Sequence, residues 1–285
     1  MILRAYRGYR RILMKKKALK IGLLIPDVNS PYYATIAKMV SGFLKKLGHK
    51  FVLYSPLGDS KSEHGCLDFF YNNQCDGIIA IAVSLDIKVL YALKDLGITV
   101  VLADNKIDPH FPAVINDNYE GASALFEHML DRGCRKIGWI GGNPNTFVVK
   151  ERFRAFKDVM RAHNLEFSPQ DIIFGPSNFE FGLASASKLI LENKVDSIFG
   201  INDLVALGVC KFCDQNQILI PKMLKVAGFD DIEMSSMLKV PLTTVHQNKE
   251  LLAKKSCELL LSEIKSPSVA VSIVLDTDLV VRSSC

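Results

Sequence analysis

The sequence predicts an α/β fold made of two similar doubly wound lobes, each with a parallel sheet. Three observations carry that reading. Short apolar runs of four to six residues, rich in β-branched side chains and bounded by Gly, Pro, Asn or Asp, recur along the 285-residue chain; such runs mark strands buried on both faces. Amphipathic segments of helical length separate them. The β-α rhythm runs through once before about residue 115 and again after it, which implies two parallel sheets side by side with helices on both faces.

In chain order, the first half offers a strand at Ile21–Ile25, a helix at Tyr32–Leu47, a strand at Lys50–Tyr54 and a helix around Ser62–Asn72. A strand at Gly77–Ala82, a helix near Ile87–Leu96 and a strand at Ile98–Ala103 complete it. The second half repeats the plan: strand Lys136–Ile140, helix Val149–His163, strand Asp171–Phe174, helix Phe181–Asn193, strand Ser197–Ile201, helix Leu204–Gln215 and strand Lys225–Phe229. Gly48 and Gly97 follow helices, where a left-handed residue commonly ends the last turn, and Pro26, Pro56 and Pro109 fall between elements, where no ladder hydrogen bond is lost.

Composition excludes several classes. Hydrophobic residues make up 49% and charged residues 23%, the mixture of a folded globule and not of a disordered or collagen-like chain. No run approaches the ~20 apolar residues of a membrane-spanning helix. The net charge of +5 is unevenly placed: residues 1–20 hold eight basic groups and no acid, so a basic arm precedes a mildly acidic body. Such an arm suits a polyanion partner, and equally a solvated tail. The arm lacks the apolar stretch and cleavage site of a secretory signal, so the expected location is cytoplasmic. The seven cysteines, an odd number, fit reduced thiols there. Cys210 and Cys213 form a CxxC without a second ligand pair, on a helix-like stretch, and are read as packing residues.

In open α/β sheets, ligands bind beyond the carboxyl ends of the strands. The segments to inspect are therefore Asp27–Tyr33, Asp104–Lys106, Asn116–Tyr119, Gly141–Arg152, Asn202–Asp203 and Phe229–Asp231. Tyr32 and Tyr33 offer flat faces on which a sugar ring or base can stack; helix geometry turns them apart, so one is expected in the cleft and the other on the core. Arg152 can grip hydroxyls or a carboxylate with two parallel bonds, or pair with Glu151 or Asp158 on the surface. Asn202, Asp203 and Asp230 are short acceptors at strand ends, suited to polyhydroxyl ligands or to helix capping. The expected division makes Asp203 partly a cap and turns Asp230 into the cleft.

The motifs of catalysis are missing. GxxxxGK[ST] and GxGxxG do not occur at the required places, there is no GxSxG elbow, and no HExxH. The six histidines lack metal-ligand spacing. The expectation is a binding module, not an enzyme, with no metal and no cofactor.

The same residues resemble the effector-binding core of the LacI/GalR family of transcriptional regulators. Ile21–Pro26 with Ser30–Ala34 resembles that family's first strand and the aromatic start of its first helix. Asn116–Ala122 is similar to its crossover segment, Arg132–Gly138 with Ile140–Gly142 to the entry of its fifth strand, and Arg152–Phe156 to its R-x-x-G-F helix, with Ala155 in place of the glycine. Asn202–Gly208, Val226–Asp231, Pro241–Val245 and the closing Leu279–Cys285 follow in order.

The resemblance implies a periplasmic-binding-protein-like type I fold in which three crossings, near Ile115, Val245 and Thr277, form a hinge. The implied lobes are residues 20–115 plus 246–276 and residues 116–245 plus 277–285, behind a basic arm at 1–19. Tyr33 would stack on the ligand, Arg152, Asn202 and Asp230 would hydrogen-bond it, and Asp104 and Asp117 would sit near the cleft wall. The implied partners are a sugar-like small effector, a second copy of the chain, and operator DNA reached through a helix-turn-helix reader that is not complete in these residues. A transport solute-binding protein would share the lobes and cleft and is the alternative; a leader peptide or lipid-anchor cysteine would be its mark.

Overall fold

A computed structural model of the chain describes residues 18–56, 63–81 and 86–285. Residues 1–17 of the basic arm, Ser62 at the expected start of the second helix and Ala82 at the expected end of the third strand lie outside the described residues.

The first strand, β1 (Lys20–Leu24), shows why the first sheet is doubly wound. Ile21 and Leu23 point to one face and Leu24 to the other, and all are buried. The first face meets α1 (Pro31–Lys46), and the opposite face is covered by α2 (Glu63–Asn72) and α3 (Ile87–Asp95). The period-2 alternation that would put one face in water in an antiparallel sheet here feeds two cores. Gly22 stands on the crowded side: a Cβ there would lie 2.5 Å from the Phe70 ring, so the missing side chain is what lets α2 settle on the strand.

With β2 (Lys50–Tyr54), β3 (Gly77–Ala80), β4 (Thr99–Ala103) and β5 (Ala113–Asn116), the sheet runs β2-β1-β3-β4-β5, all parallel. β11 (Ser272–Leu275) then adds to β5 from near the far end of the chain, in parallel register Ser272 with Ala113. The helix before it, α9 (Lys249–Lys265), packs on α1 and on the sheet through Leu252, Ala253, Cys257 and Leu260.

The second sheet holds β6 (Ile137–Ile140), β7 (Ile172–Ile173), β8 (Ser197–Gly200) and β9 (Lys225–Ala227) in the order β7-β6-β8-β9, again parallel. Its helices are α4 (Asn118–Asp131), α5 (Phe147–Ala162), α6 (Phe179–Ser187) and α7 (Asp203–Gln215), followed by the short α8 (Glu233–Met237). Both sheets thus begin with the second strand outside the first and the third on its other side. The expected similarity holds in topology but not in size, six strands against four, because β5 and the late β11 extend the first sheet.

The core of the second lobe is aromatic. Trp139 is fully buried on β6, its ring centroid 4.9 Å from that of Phe199 and 6.0 Å from that of Phe156. Its indole N–H donates to the Gly141 carbonyl at 2.9 Å, so the one polar atom of this large side chain is satisfied.

Some element bounds differ from the sequence reading. The expected strand at Asp171–Phe174 shrinks to two residues, because Gly175 already bridges to Gly142 in the antiparallel sense. The expected helix at Phe181–Asn193 begins earlier, at Phe179, and ends in a π turn over Lys188–Glu192, closed by the Asn193 N–H donating to the Lys188 carbonyl at 3.0 Å. That turn delivers the fully buried Leu189 onto β6, where the absence of a Cβ on Gly138 makes room for it. Cys210 and Cys213 lie on α7, where burial pushes both thiols up to about 12.

A third, two-stranded unit links the sheets. β10 (Thr244–Gln247) pairs antiparallel with β12 (Thr277–Val280), Val245 opposite Leu279. β10 leads into α9, β12 follows directly on β11, and β5 passes through Asp117 into α4. Gly121 on α4 allows this approach: a Cβ there would lie 2.4 Å from the Thr277 hydroxyl. Among the described residues no helix is long and apolar enough to cross a membrane.

Candidate functional site

The carboxyl ends of both parallel sheets open onto one cleft, continuous with solvent at its mouth. The first sheet contributes the start of α1, with Ser30, Tyr32 and Tyr33, and the residues just past β4, Asp104 and Asn105. The second contributes Asn143, Thr146 and Arg152 from the β6–α5 segment, Ser177 from beyond β7, Asn202 from beyond β8, and Asp230 from beyond β9.

Arg152 is the centre of the charge arrangement. It is 3% exposed, on the inner face of α5. Its Nε donates to Asn118 Oδ1 at 2.9 Å, its Nη1 donates to the Ile201 carbonyl at 2.5 Å, and the guanidinium carbon lies 3.5 Å from the centroid of Phe229. Burial works against the charged form, and the carboxyls of Asp230 and Asp104 work to retain it. Stacking and two committed nitrogens leave the guanidinium with one orientation, which is what oriented recognition needs.

Asp104 and Asp230 are the two buried carboxyls of the cleft. Burial raises both above the usual carboxylate range, Asp230 well above it, while Arg152 opposes the rise in each case. Both sit on left-handed backbone, φ 55° at Asp104 and 113° at Asp230. For residues with a side chain such backbone is strained, and strain of this kind is held where the surroundings over-determine it. At Asp230 the surroundings are visible. Its N–H donates to the Val245 carbonyl at 3.0 Å, its carbonyl accepts from Lys249 Nζ at 2.5 Å, and its Oδ1 accepts from Gln247 Nε2 at 2.6 Å.

The two tyrosines correct an expectation. Both line the cleft, with ring centroids 5.3 Å apart and planes at 69°. They sit in the first turn of α1, behind Pro31, so a rotation of one residue carries a ring from floor to wall and not out of the cleft. Tyr32 is the deeper and belongs to the core beneath as well. Burial pushes both hydroxyls upward, so they stay protonated and can donate.

Asp117 is a second correction. It is the N-cap of α4, its Oδ1 accepting from the Glu120 N–H at 3.0 Å, and it is not among the residues lining the cleft. Its neighbour Asn118 is the one that turns inward to Arg152. Asp203 is a third. The N-cap of α7 is Asn202, whose Oδ1 accepts from the Val205 N–H at 3.0 Å while its Nδ2 donates to the Ser177 carbonyl at 3.1 Å. Asp203 turns away from the cleft and is fully buried. Its Oδ1 accepts from the Thr244 hydroxyl at 2.5 Å, and its Oδ2 accepts from the Ser235 hydroxyl at 2.6 Å and the Ile232 N–H at 2.9 Å. It therefore ties α7 to β10 and to the segment that carries Asp230.

Burial pushes the Asp203 carboxyl up to about 6. A carboxyl whose folded-state value exceeds its unfolded value of about 3.9 binds its proton more tightly when folded. Its contribution to stability is full below pH ~4 and is lost as pH rises to about 6. Urea midpoints between pH 4 and 7 should show that loss in the wild type and a flatter profile in Asp203→Asn; parallel profiles would exclude it.

Within the flagged segment Asn116–Tyr119 the sequence singled out Asp117 and not Asn116 or Asn118, and it did not mark Gln247 or Lys249. Asn116 and Asn118 flank Asp117, and a one-residue rotation exchanges which of the three faces inward. Gln247 ends β10 and Lys249 opens α9 two residues later. Lys249 Nζ donates to the carbonyls of Asp230, Asp231 and Gln247 and lies 5.6 Å from the Tyr32 centroid.

Residues 126–285 match the family described as periplasmic binding protein-like domain. Among curated proteins, the chain is 29% identical over 252 residues to the HTH-type transcriptional repressor PurR of Aliivibrio salmonicida, a match covering 86% of the chain and 74% of that protein. It is 30% identical over 280 residues to the ribose operon repressor of Halalkalibacterium halodurans, covering 96% of the chain and 82% of the relative. Among solved structures, a periplasmic binding protein/LacI transcriptional regulator from Alkaliphilus metalliredigens, complexed with D-xylulofuranose, superposes with a TM-score of 0.83 at 26% identity, covering 94% of this chain and 99% of that one.

Proposed function

The chain belongs to the LacI/GalR family of transcriptional regulators, as their periplasmic-binding-protein-like effector-sensing core, and on that premise we propose that its cleft takes a small polyhydroxylated effector, a sugar or sugar derivative. The observation that carries this reading is the arrangement of Asp104, Arg152 and Asp230, two buried carboxyls just beyond β4 and β9 with a fixed guanidinium from α5. Carboxyl acceptors, a guanidinium donor and two tyrosine hydroxyls line the cleft together, and hydroxyls, which both donate and accept, satisfy such a lining better than an apolar or purely anionic ligand does.

In this reading the lobes are residues 20–115 plus 246–276 and residues 116–245 plus 277–285, and the effector favours one lobe angle by its differential affinity for that state. Operator affinity is coupled to the effector through a reader segment joined to the first lobe, reciprocally. Two copies associate through the first lobe, by the outer side of α1 and the stretch Leu67–Tyr71, where Tyr71 is 55% exposed. Sedimentation of Tyr71→Lys against wild type tests that face: the variant should dissociate at about tenfold higher concentration, and an unchanged equilibrium would exclude the surface.

The effector reading is tested by calorimetric titration with D-ribose, D-xylulose, D-glucose and adenine. A pentose should bind; adenine, which can stack on Tyr33 but offers no hydroxyls, should not. Arg152→Ala should weaken the pentose by at least about 100-fold and Asp230→Ala by at least about tenfold. A ligand that binds wild type and both variants equally lies outside this cleft.

A further inference from the structure

The segments that cross between the lobes end on the same chemistry. β5 finishes at Asn116 and β10 at Gln247, and both side chains are buried. Asn116 Nδ2 donates to Asp104 Oδ1 at 2.8 Å and to the Tyr32 hydroxyl at 3.3 Å. Gln247 Nε2 donates to Asp230 Oδ1 at 2.6 Å. Each cleft carboxyl is therefore held from behind by an amide on a crossing segment, and neither amide itself lines the cleft.

The other end of each amide is unusual. Asn116 Oδ1 and Gln247 Oε1 are buried and accept no hydrogen bond from the described residues. Buried acceptors are normally paired, and an empty one is costly. Turning either amide over would set its oxygen against an ionised carboxylate oxygen, so the carboxylate form holds the amide nitrogen towards itself and leaves the amide oxygen facing away. Packing alone does not account for the same sacrifice at two crossings. An apolar residue of similar size would fill either position without it.

We propose that Asn116 and Gln247 are positioning residues for the effector, holding Asp104 and Asp230 from the hinge so that the presentation of both carboxyls depends on the lobe angle. The inference rests on the cleft being the effector site. A ligand that draws on Asp104 and Asp230 then pulls on β5 and β10 through one hydrogen bond each, and a change in lobe angle moves the amides and resets the carboxyls. The charged and titratable groups facing the pair are Arg152 from α5 and Lys249 from α9 for both carboxyls, Tyr32 from α1 for Asp104, and Asp203 from α7 for Asp230.

The test uses Asn116→Asp and Gln247→Glu, which keep the side-chain shape, with Asn116→Leu and Gln247→Leu beside them, in the full chain. Carbon-13 NMR of the aspartate carboxyls, without ligand, is the first measurement. A second carboxyl in contact makes the pair share one proton. The midpoint of Asp104 should therefore move by about one pH unit or more in Asn116→Asp, and that of Asp230 likewise in Gln247→Glu. D-ribose titration at pH 5.5 and pH 8 is the second. The two acidic variants should lose about tenfold or more in affinity at pH 8 and recover much of it at pH 5.5; the leucine variants, which cannot be restored by a proton, should lose affinity at both. Unmoved carboxyl midpoints would overturn the proposal, and so would moved midpoints with wild-type D-ribose affinity and pH dependence. Failure of D-ribose to bind the wild type would instead count against the effector reading, and the NMR midpoints would still decide whether the amides hold the carboxyls.

Discussion

Replacing Arg152 with alanine is expected to abolish effector binding, with a loss of at least about 100-fold, equivalent to about 3 kcal/mol. Three effects act together. The substitution removes the donor group between Asp104 and Asp230. It frees Asn118 Oδ1 and the Ile201 carbonyl, which hold the cleft wall. It also uncovers the face of Phe229, on which the guanidinium rests at 3.5 Å. Removing one member of a buried charge network commonly costs about 3–5 kcal/mol of stability, because the partner charge is left uncompensated. Here the loss should be smaller, about 1–3 kcal/mol, since burial already raises Asp104 and Asp230 and both can take up protons instead of remaining as bare charges. The two quantities separate the roles: D-ribose calorimetry reads the first and urea unfolding the second. Arg152→Lys keeps the charge but has no planar fork to reach both Asn118 and Ile201, so it should bind about as poorly as the alanine variant. Wild-type affinity in either variant would remove Arg152 from the site.

The largest effect on stability is expected at Asp203, a residue that does not face the cleft. Asp203→Ala leaves the Thr244 and Ser235 hydroxyls and the Ile232 N–H without their acceptor, all three buried. Each such loss costs about 1–3 kcal/mol, and hydroxyls that can rotate to other partners recover part of it, so a total of about 3–5 kcal/mol follows. The void matters less than the broken ties. Gly228 packs so closely on Asp203 that a Cβ there would lie 2.3 Å from its Oδ1, and the neighbouring backbone can close in part of the space. Because Ile232 stands two residues after Asp230, the same substitution should loosen the strained backbone that presents Asp230 and weaken D-ribose binding as a secondary effect. Urea unfolding within about 0.5 kcal/mol of wild type would show that Asp203 is not the tie described.

Much of this site is legible in the sequence for one reason: in a parallel sheet the carboxyl ends of the strands all face one way. Locating the ends of β1, β4, β8 and β9 therefore also locates Tyr33, Asp104, Asn202 and Asp230. What lies beyond a strand end is legible; which of several adjacent polar residues turns inward is not. Asn116, Asp117 and Asn118 read almost alike, yet one holds a cleft carboxyl, one caps a helix and one orients Arg152. The cap expected at Asp203 falls instead to Asn202, and Asp203 becomes a buried tie.

The local periodicity of apolar residues determined the α/β class, the repeated β-α plan and the order of the elements, because helix and strand formation depend on side chains within a few positions of one another. The ordered motifs determined the family. Partnerships between distant segments belonged to the tertiary structure alone. β11 joins β5 across more than 150 residues of chain, Asn116 meets Tyr32 across 84, and the Thr277 hydroxyl donates to the Asp117 carbonyl across 160. Whether a polar group is buried, paired or orphaned depends on what the fold sets beside it, and no window of sequence contains both partners.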